Sequence, residues 1–503
     1  MPPSRALPPQ LVRAHEGFEA LYAALEDGRV GRERVADVVK RLLVLREEER
    51  LPSASEVAAG YQLRRPKRIS QDVASRAVKA LADPYRLVVP QAARREGSGR
   101  PSIPLLLGGD RWFVVGVTVW RLPAGGASIM LAVTDLLGRR LCQDTPTGVV
   151  EEKGSIADGV VERVVKAMSD RRELRGRRLF GVGVSVSGHV VDGTEVRLSP
   201  VPEASRHDLG QEIADGLDQV ADRTLARFAR GAAVPVVVDN DAALLAVRET
   251  FQPDQPFRDT VVAAVFPDGI GSSVVVNNRV YRGARGAAGE VGHLVVGSDL
   301  VARARATEGP DTRAEAGFAA ECSCTDRDDE RGIKRGGHVD CYAPPARIAA
   351  QVGRAETIRQ LINTSDDDRQ VSDVFAIAGE ALGIALSSLI TIHDPEQLVV
   401  YLPKAFEDVI LRDRSNLAGH RYWATAGDVI RERSYPAADA LPISLRYVSD
   451  EDLKVLGAES AGLRVVDSFI KHGKGRCKCY ISPPVERVEE VRAQEWDADS
   501  LWP

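Results

Sequence analysis

Two stretches of this chain carry the same pattern, and that constrains its fold more than any other feature. Phe113–Trp120 and Ser128–Thr134 form a β-rich strand–turn–strand pair, and Thr260–Phe266 and Ser272–Val276 repeat the theme later in the chain. The first pair is followed by a helical pattern over 155–170, a Gly-bounded apolar run at Phe180–Ser187, a second helix over 208–230 and an apolar run at Val234–Val238. The second pair is followed by a helix over 370–393, a strand at Leu398–Tyr401 and a last helix over 450–470. Short apolar runs alternating with helices predict buried, partly parallel sheets covered by helices, and the duplication predicts two similar α/β lobes.

A chain of 503 residues holds about three to four folding units at the usual domain size. Its 44% hydrophobic and 28% charged content is that of a globular protein, which excludes disorder as the main state. No membrane span is expected from the apolar runs, and the first thirty residues carry Glu16, Glu19, Glu26 and Asp27 where a secretory signal needs an apolar core, so a cytoplasmic protein is expected. Six cysteines are too few for a disulfide scaffold. Cys322, Cys324 and Cys341 cluster, as do Cys477 and Cys479, which points to metal before disulfide.

The net charge of −5 hides an asymmetry: residues 1–104 hold 19 Lys/Arg against 13 Asp/Glu. A basic module on an acidic body is the electrostatic footprint of nucleic-acid binding, although a solvated surface reads the same way. Helical spacing predicts helices over 8–27 and 31–50. A short one over Glu56–Leu63 would be capped by Ser55, and one over Ser70–Leu81 would have Val73, Ala74, Ala77, Val78 and Leu81 inside. A strand at Tyr85–Val89 and a basic turn over Gln91–Pro104 follow. Such a unit fits a helix-turn-helix with a wing. Ser70, Gln71, Asp72, Ser75, Arg76 and Lys79 would face the major groove, and Arg94, Arg95 and Arg100 would sit in a wing and minor-groove arm. A small helical interaction domain would share that topology.

Three further groups can carry chemistry. Asp239-Asn240-Asp241 ends a strand, where α/β sheets bind ligands and where an Asx helix cap is equally at home. His293 with Cys322, Cys324 and Cys341 offers the four donors of a tetrahedral zinc site, with His338 as a rival ligand; scattered thiols beside a core histidine are the plain alternative. Asp268-Gly269-Ile270-Gly271-Ser272-Ser273 can approach a phosphate through backbone N–H groups or be a hairpin turn. Residues 298–340 are polar and read as a long loop.

Together these segments resemble the ROK family (repressors, open reading frames, sugar kinases), in particular its transcriptional regulators, across residues 50–470. The run from Gly269-Ile270-Gly271 through Asn278-Arg279-Val280-Tyr281-Arg282-Gly283 to Gly286-Ala287-Ala288-Gly289-Glu290-Val291-Gly292-His293 follows the family signature. Val238–Ala242, Gly181–Gly188 and Leu456-Gly457-Ala458 fall around it in the right order, and Ser70–Leu81 with Gly99-Arg100-Pro101-Ser102 looks like the family's DNA-binding segment. The resemblance implies an α/β protein: an N-terminal winged helix-turn-helix domain followed by a two-lobed actin-like (ribonuclease H-like) sugar-kinase-type body. On that basis 1–30 is a helical extension and 31–104 the DNA-binding domain. Lobe 1 is 105–241 plus 451–470, lobe 2 is 242–450 with a zinc and insert loop at 298–340, and 471–503 is a tail. It further implies sugar-hydroxyl contacts from Asn240, Asp241, Glu290 and His293, with Asp241 the base in kinase members, and zinc held by His293, Cys322, Cys324 and Cys341.

The departures from the family pattern are specific. Gly116-Val117-Thr118-Val119-Trp120 replaces a phosphate loop that has an Asp and Gly-Gly-Thr in kinases, and Tyr401-Leu402 replaces a glycine pair on the adenosine side. The compact Cys-x-Cys-Gly-x-x-Gly-Cys-x-Glu run is opened by an insert at 325–340, which puts Ala343 at the place of its final Glu. Phosphoryl transfer rests on positioning and charge neutralisation, so losing both ends of the nucleotide site argues against catalysis. The expected protein is a transcriptional regulator, a repressor, with a catalytically inactive sensor body, operator DNA and a sugar or sugar-derivative effector as partners, structural zinc, no ATP, no membrane, and a homodimer or higher oligomer as its assembly. An active hexose kinase with an atypical ATP site is the alternative, and a pseudokinase-like protein-binding partner a third.

Overall fold

The structure is a computed structural model that describes residues 53–59, 69–82, 88–91, 93, 103, 105–108, 112–122, 126–143, 155–175, 177–224, 234–252, 259–276, 279–307, 337–354, 356–435 and 441–472. The expected helices over 8–27 and 31–50, residues 473–503 of the expected tail, and Arg94, Arg95 and Arg100 lie outside the described residues, while 471–472 close the last helix of the body.

At the N-terminal end, helix α1 (Ala54–Ala59) is followed by α2 (Gln71–Ala82) and by an antiparallel hairpin of β1 (Val88–Pro90) and β2 (Leu105–Leu107), in which Val88 pairs with Leu107. The cap of α1 is Ser53 rather than Ser55. Ser53 Oγ accepts from Glu56 N–H (3.4 Å) while the Ser53 N–H and hydroxyl both donate to the Glu56 carboxylate (2.8 Å each), a capping box that starts the helix two residues earlier than expected. Val73, Ala74, Ala77, Val78 and Leu81 of α2 are buried, so the apolar stripe read from the sequence is the packed face. Of the segment read as a basic turn, Gln91–Pro104, only residues 91, 93 and 103 are described.

The body consists of two five-stranded sheets. The first contains β3 (Trp112–Arg121), β4 (Ala127–Thr134), β5 (Arg140–Gln143), β6 (Arg178–Val186) and β9 (Val236–Asn240) in the order β5-β4-β3-β6-β9; the small hairpin β7 (His189–Val191) and β8 (Glu195–Leu198) stands beside it. The second contains β10 (Thr260–Val265), β11 (Ile270–Val276), β12 (Arg279–Tyr281), β13 (Gln397–Pro403) and β14 (Ile443–Val448) in the order β12-β11-β10-β13-β14. Number the strands of each half one to five, and both sheets read 3-2-1-4-5. Strands one to three are antiparallel, and four and five parallel to one, in both halves. The duplication seen in the sequence is therefore a duplication of topology. β3 and β4 are buried along nearly their whole length, as strands covered on both faces must be.

Helices fill the intervals. In the first half α3 (Ile156–Asp170) and α4 (Leu209–Thr224) back the sheet, and α5 (Asp241–Thr250) follows β9. In the second half come α6 (Ser298–Thr307), α7 (Pro345–Val352), α8 (Ile358–Ile362), α9 (Arg369–His393), α10 (Glu407–Leu411), α11 (Ala418–Arg433) and, after β14, α12 (Asp450–His472). Each fifth strand hands its helix to the opposite sheet: α5 packs on β10 and β11, and α12 packs on β3, β4 and β6. Both crossing helices meet between the lobes. α12 fits only because its partner strands lack side chains there: a Cβ on Gly116 would lie 1.7 Å from the Ala458 carbonyl oxygen, and one on Gly183 would lie 1.9 Å from that of Ala461.

Three sequence expectations change. Residues 298–307 are helical rather than loop, and α7, α8, α10, α11 and β14, missed in the sequence, complete the second half. α9 is apolar and long enough to cross a membrane by length and composition, whereas no such run was expected. Its apolarity has another cause: Val374, Phe375, Ala378, Leu382, Ala385 and Leu386 are all fully buried in the core of the second lobe.

Candidate functional site

The ends of β6, β9 and β11 and the loop after β12 converge between the two sheets. Asn240 closes β9 and caps α5: its Oδ1 accepts from Ala242 N–H (2.9 Å) and Ala243 N–H (3.2 Å), and its Nδ2 donates to the Gly188 carbonyl (2.8 Å). The capping alternative thus describes the Asn240 Oδ1, while Nδ2 gives one of its two hydrogens to the scaffold. Asp241 follows with its side chain at the cleft. Ser187 Oγ donates to Asp241 Oδ2 (2.5 Å) and the Ala242 N–H to Oδ1 (2.8 Å). Burial pushes the Asp241 carboxyl up to about 6; these two hydrogen bonds oppose the shift, and the charges of Glu290 and Asp268 add to it.

Facing this corner is the loop 282–293. A Cβ at Gly289, where φ is +93°, would meet the Ser272 carbonyl oxygen at 2.7 Å, so only glycine lets the loop lie against β11. Glu290 and His293 then flank a single helical turn and are both exposed. A third acid joins them: Asp340 accepts the Ile270 N–H (2.8 Å), and a Cβ on Gly292 would lie 2.3 Å from its Oδ1. Burial pushes the Asp340 carboxyl up to about 6 against the Ile270 hydrogen bond and the nearby His293, with Glu290 and Asp268 adding to the rise. Asp241 and Asp340 therefore both feel the charges of Asp268 and Glu290 across one cleft.

Asp340 and Ser187 are the residues that sequence reasoning missed. The position assigned to the final family acid, Ala343, is fully buried, and its carbonyl accepts the Tyr422 hydroxyl (3.0 Å) in the core of the second lobe. Cys341 is also fully buried within that core. His338 instead approaches His293, with ring centroids 5.9 Å apart. The family motif can be anchored on Cys341 or, three residues earlier, on His338. Anchored on His338, Gly337-His338-Val339-Asp340 spells Gly-Cys-x-Glu with an imidazole for the thiol and Asp for Glu. Cys322 and Cys324 lie outside the described residues, and the described ones alone include no group of three or more metal-binding side chains.

The turn at Asp268–Gly271 is the hairpin between β10 and β11: Phe266 N–H donates to the Gly269 carbonyl (2.9 Å), and the Ile270 N–H is taken by Asp340. At the end of β3, Thr118 Oγ1 donates to the Lys454 carbonyl (3.0 Å) and the Lys454 ammonium lies 4.6 Å from the centre of the Trp120 ring. At the end of β13 the buried Tyr401 hydroxyl donates to Glu249 Oε1 (2.5 Å); burial, then the Glu249 charge, raises the phenol well above its ordinary range. A hollow of about 400 Å³ lies on the second lobe near this strand end, lined by Pro267, Pro345, Ala346, Pro403 and Lys404 among others, apart from the carboxylate cleft. In the N-terminal unit, Ser70 just ahead of α2 and Gln71, Asp72, Ser75, Arg76 and Lys79 on it are all exposed, with Arg76 paired to Asp72 (2.5 Å).

Twin 3-2-1-4-5 sheets with exchanged helices, and a carboxylate-lined cleft between them, define an actin-like body of the sugar-kinase type. The sequence matches the ROK family over residues 121–401, more than half of its length, and the chain belongs to that family. Its relatives fall on both sides of the family. It is 25% identical over 188 residues to a glucokinase of Halalkalibacterium halodurans, covering 37% of this chain and 51% of that protein. It is 22% identical over 226 residues to the xylose repressor of Bacillus subtilis, covering 44% of this chain and 48% of that protein. The chain thus spans about half the length of these curated relatives. A crystal structure of a ROK family transcriptional regulator, homologous to the Escherichia coli MLC protein, superimposes with a TM-score of 0.56 at 18% identity over 86% of this chain and all of the other, which shows a shared fold.

Proposed function

We propose that this ROK protein is a DNA-binding transcriptional regulator, a repressor, whose kinase-type body senses a polyhydroxylated effector and does not transfer phosphate. The observation that carries the reading is the described part of the unit ahead of the body, which includes two helices and a two-stranded hairpin, with α2 presenting Gln71, Ser75, Arg76 and Lys79 to solvent and its apolar stripe inward. A helix buried on one face and polar on the other, followed by a β-hairpin, is built to dock in a major groove with a wing beside it. The resemblance to a xylose repressor and to a family regulator supports the same reading.

Loss of catalysis is supported by what fills the nucleotide positions. Trp120 under Lys454 occupies the place of phosphate-loop glycines, and Tyr401 bonded to Glu249 occupies the adenosine side. A polyphosphate approaching the hairpin turn would meet Asp268 and Asp340. The cleft itself suits hydroxyl groups. Asp241, Glu290, Asp340 and His293 offer acceptors and donors that would pair with a polyol's hydroxyls, and Asp340 restores the acid that Ala343 had seemed to remove. An effector that favours one lobe angle would alter the spacing of two DNA-binding units in a dimer, through its differential affinity for the two states.

Zinc belongs to this proposal. His293 and His338 would hold it with Cys322 and Cys324, and the fit rests on the adjacent imidazoles. The ion would supply a structural clamp at the foot of the cleft and no chemistry. A cytoplasmic location follows from the proposed role.

The test is selection from a pool of random duplexes by the full chain. Enrichment of a defined site, lost in Arg76→Ala and Lys79→Ala, is the expected result; no enrichment at any salt concentration would end the regulatory reading. The alternative, a hexose kinase, is favoured by the glucokinase relative. Hexose-dependent ADP release that disappears in Asp241→Asn would establish it.

A further inference from the structure

Asp239 has a role that the cleft chemistry does not use. Its carboxylate is 1% exposed at the end of β9 and is gripped from two sides. Arg282, just past β12 in the second lobe, donates to both oxygens (2.5 Å each). Arg464, on α12 against the first lobe's sheet, donates through Nε to Oδ2 (2.7 Å). Burial would raise this carboxyl, but the two guanidinium charges and their hydrogen bonds win and hold it below the ordinary aspartate value.

The two arginines are not equivalent. The Arg464 side chain is 8% exposed and is itself held within α12 by Asp467 and Ser468, so it stays with the first lobe. The Arg282 side chain is 33% exposed and belongs to the other lobe. If the lobes part, Arg282 can leave into water while Asp239 remains neutralised by Arg464. At this joint opening then breaks one bidentate charge-assisted contact and leaves no buried unpaired carboxylate, whose penalty would strongly disfavour the open state.

The Arg282 contact begins a strap that touches the first lobe twice more. The Arg285 carbonyl meets His189 Nε2 (2.5 Å), and Gly286 (φ +79°) lies so close to the β7 backbone that a Cβ would be 2.5 Å from the Val190 carbonyl oxygen. The same strap runs on into Glu290 and His293, while Asp239 is followed at once by Asn240 and Asp241. One ion pair therefore joins the two halves of the cleft at the root of both.

We propose that Asp239–Arg282 is a releasable interlobe latch: Arg282 is a positioning residue that holds the strap carrying Glu290 and His293 against the Asp241 corner, and its release opens the cleft. This rests on the reading of the cleft as a ligand site only for its purpose. The latch itself is tested without any ligand.

Spin labels carried by genetically encoded residues at Arg172 in the first lobe and Ile392 in the second, both exposed, report the interlobe distance in the full chain. The unsubstituted chain should give one dominant distance, and Arg282→Gln a second, longer population. Arg282→Lys, which cannot engage both oxygens at once, should fall between them. Amide exchange should rise together at 189–191 and 286–290 in Arg282→Gln and stay unchanged in β3 and β6. An unchanged distance distribution with only a lowered melting temperature would overturn the latch and leave the pair as static packing. Failure of every sugar to bind would, by contrast, overturn the cleft reading and leave the distance result standing.

Discussion

Single residues in the cleft carry charges that the fold holds at a cost. The Asp241 carboxyl is raised to about 6, above the roughly 3.9 of an unfolded aspartate. The folded chain therefore keeps this proton where the unfolded chain has lost it, and the group's contribution to stability falls as pH rises from 4 to 6. Asp241→Asn keeps an acceptor for the Ala242 N–H and an amide for Ser187, and removes the buried charge. It should be more stable than the unsubstituted chain by about 1–2 kcal/mol at pH 7.5 and nearly equal at pH 4. Denaturant unfolding across that range checks it; parallel curves for the two proteins would refute it. A second residue-scale prediction concerns zinc. His338→Ala should lose the metal and Cys341→Ser should retain it, as measured by metal analysis of the purified chains, because Cys341 is sealed in the core and His338 faces His293.

Elements meet here with little room. α12 lies on β3 and β6 at Gly116 and Gly183, where the nearest atoms are helix carbonyls and not movable side chains. Gly183→Ala should cost about 3 kcal/mol or more, since backbone must shift from backbone, and should lower the thermal midpoint accordingly. Gly427 gives the opposite expectation. It lies inside α11, and a Cβ there meets only the Arg431 side chain, at 3.5 Å. Gly427→Ala should stabilise by up to about 1 kcal/mol through helix propensity and reduced unfolded-state entropy. If both substitutions shifted stability alike, close packing would not be what separates them.

The whole molecule is a basic N-terminal unit on an acidic, duplicated body. Lys and Arg exceed Asp and Glu in 1–104, and the reverse holds beyond, so the salt dependence of duplex binding should reside in the first part. The full chain's affinity should fall linearly on a logarithmic salt axis, and removal of 1–104 should abolish binding while the body keeps a cooperative melting transition. Equal affinity from the truncated body would place the DNA surface elsewhere.

Much of this was written in local pattern. Strand and helix periodicity fixed most elements of the body, because a strand buried on both faces must be apolar throughout and an amphipathic helix must repeat its stripe; the twin lobes and the exposed face of α2 followed from that. What local pattern could not hold was register across an insert and pairing across lobes. The placement of Asp340 at the cleft is set by where Gly292 leaves space and where Ile270 offers an N–H, both distant in sequence. Asp239 reads as one acid in a motif, and only the approach of Arg282 and Arg464 from separate elements makes it the joint between the lobes. Short-range sterics and hydrophobic spacing are properties of the chain itself, whereas the partners of a buried charge are decided when distant segments pack.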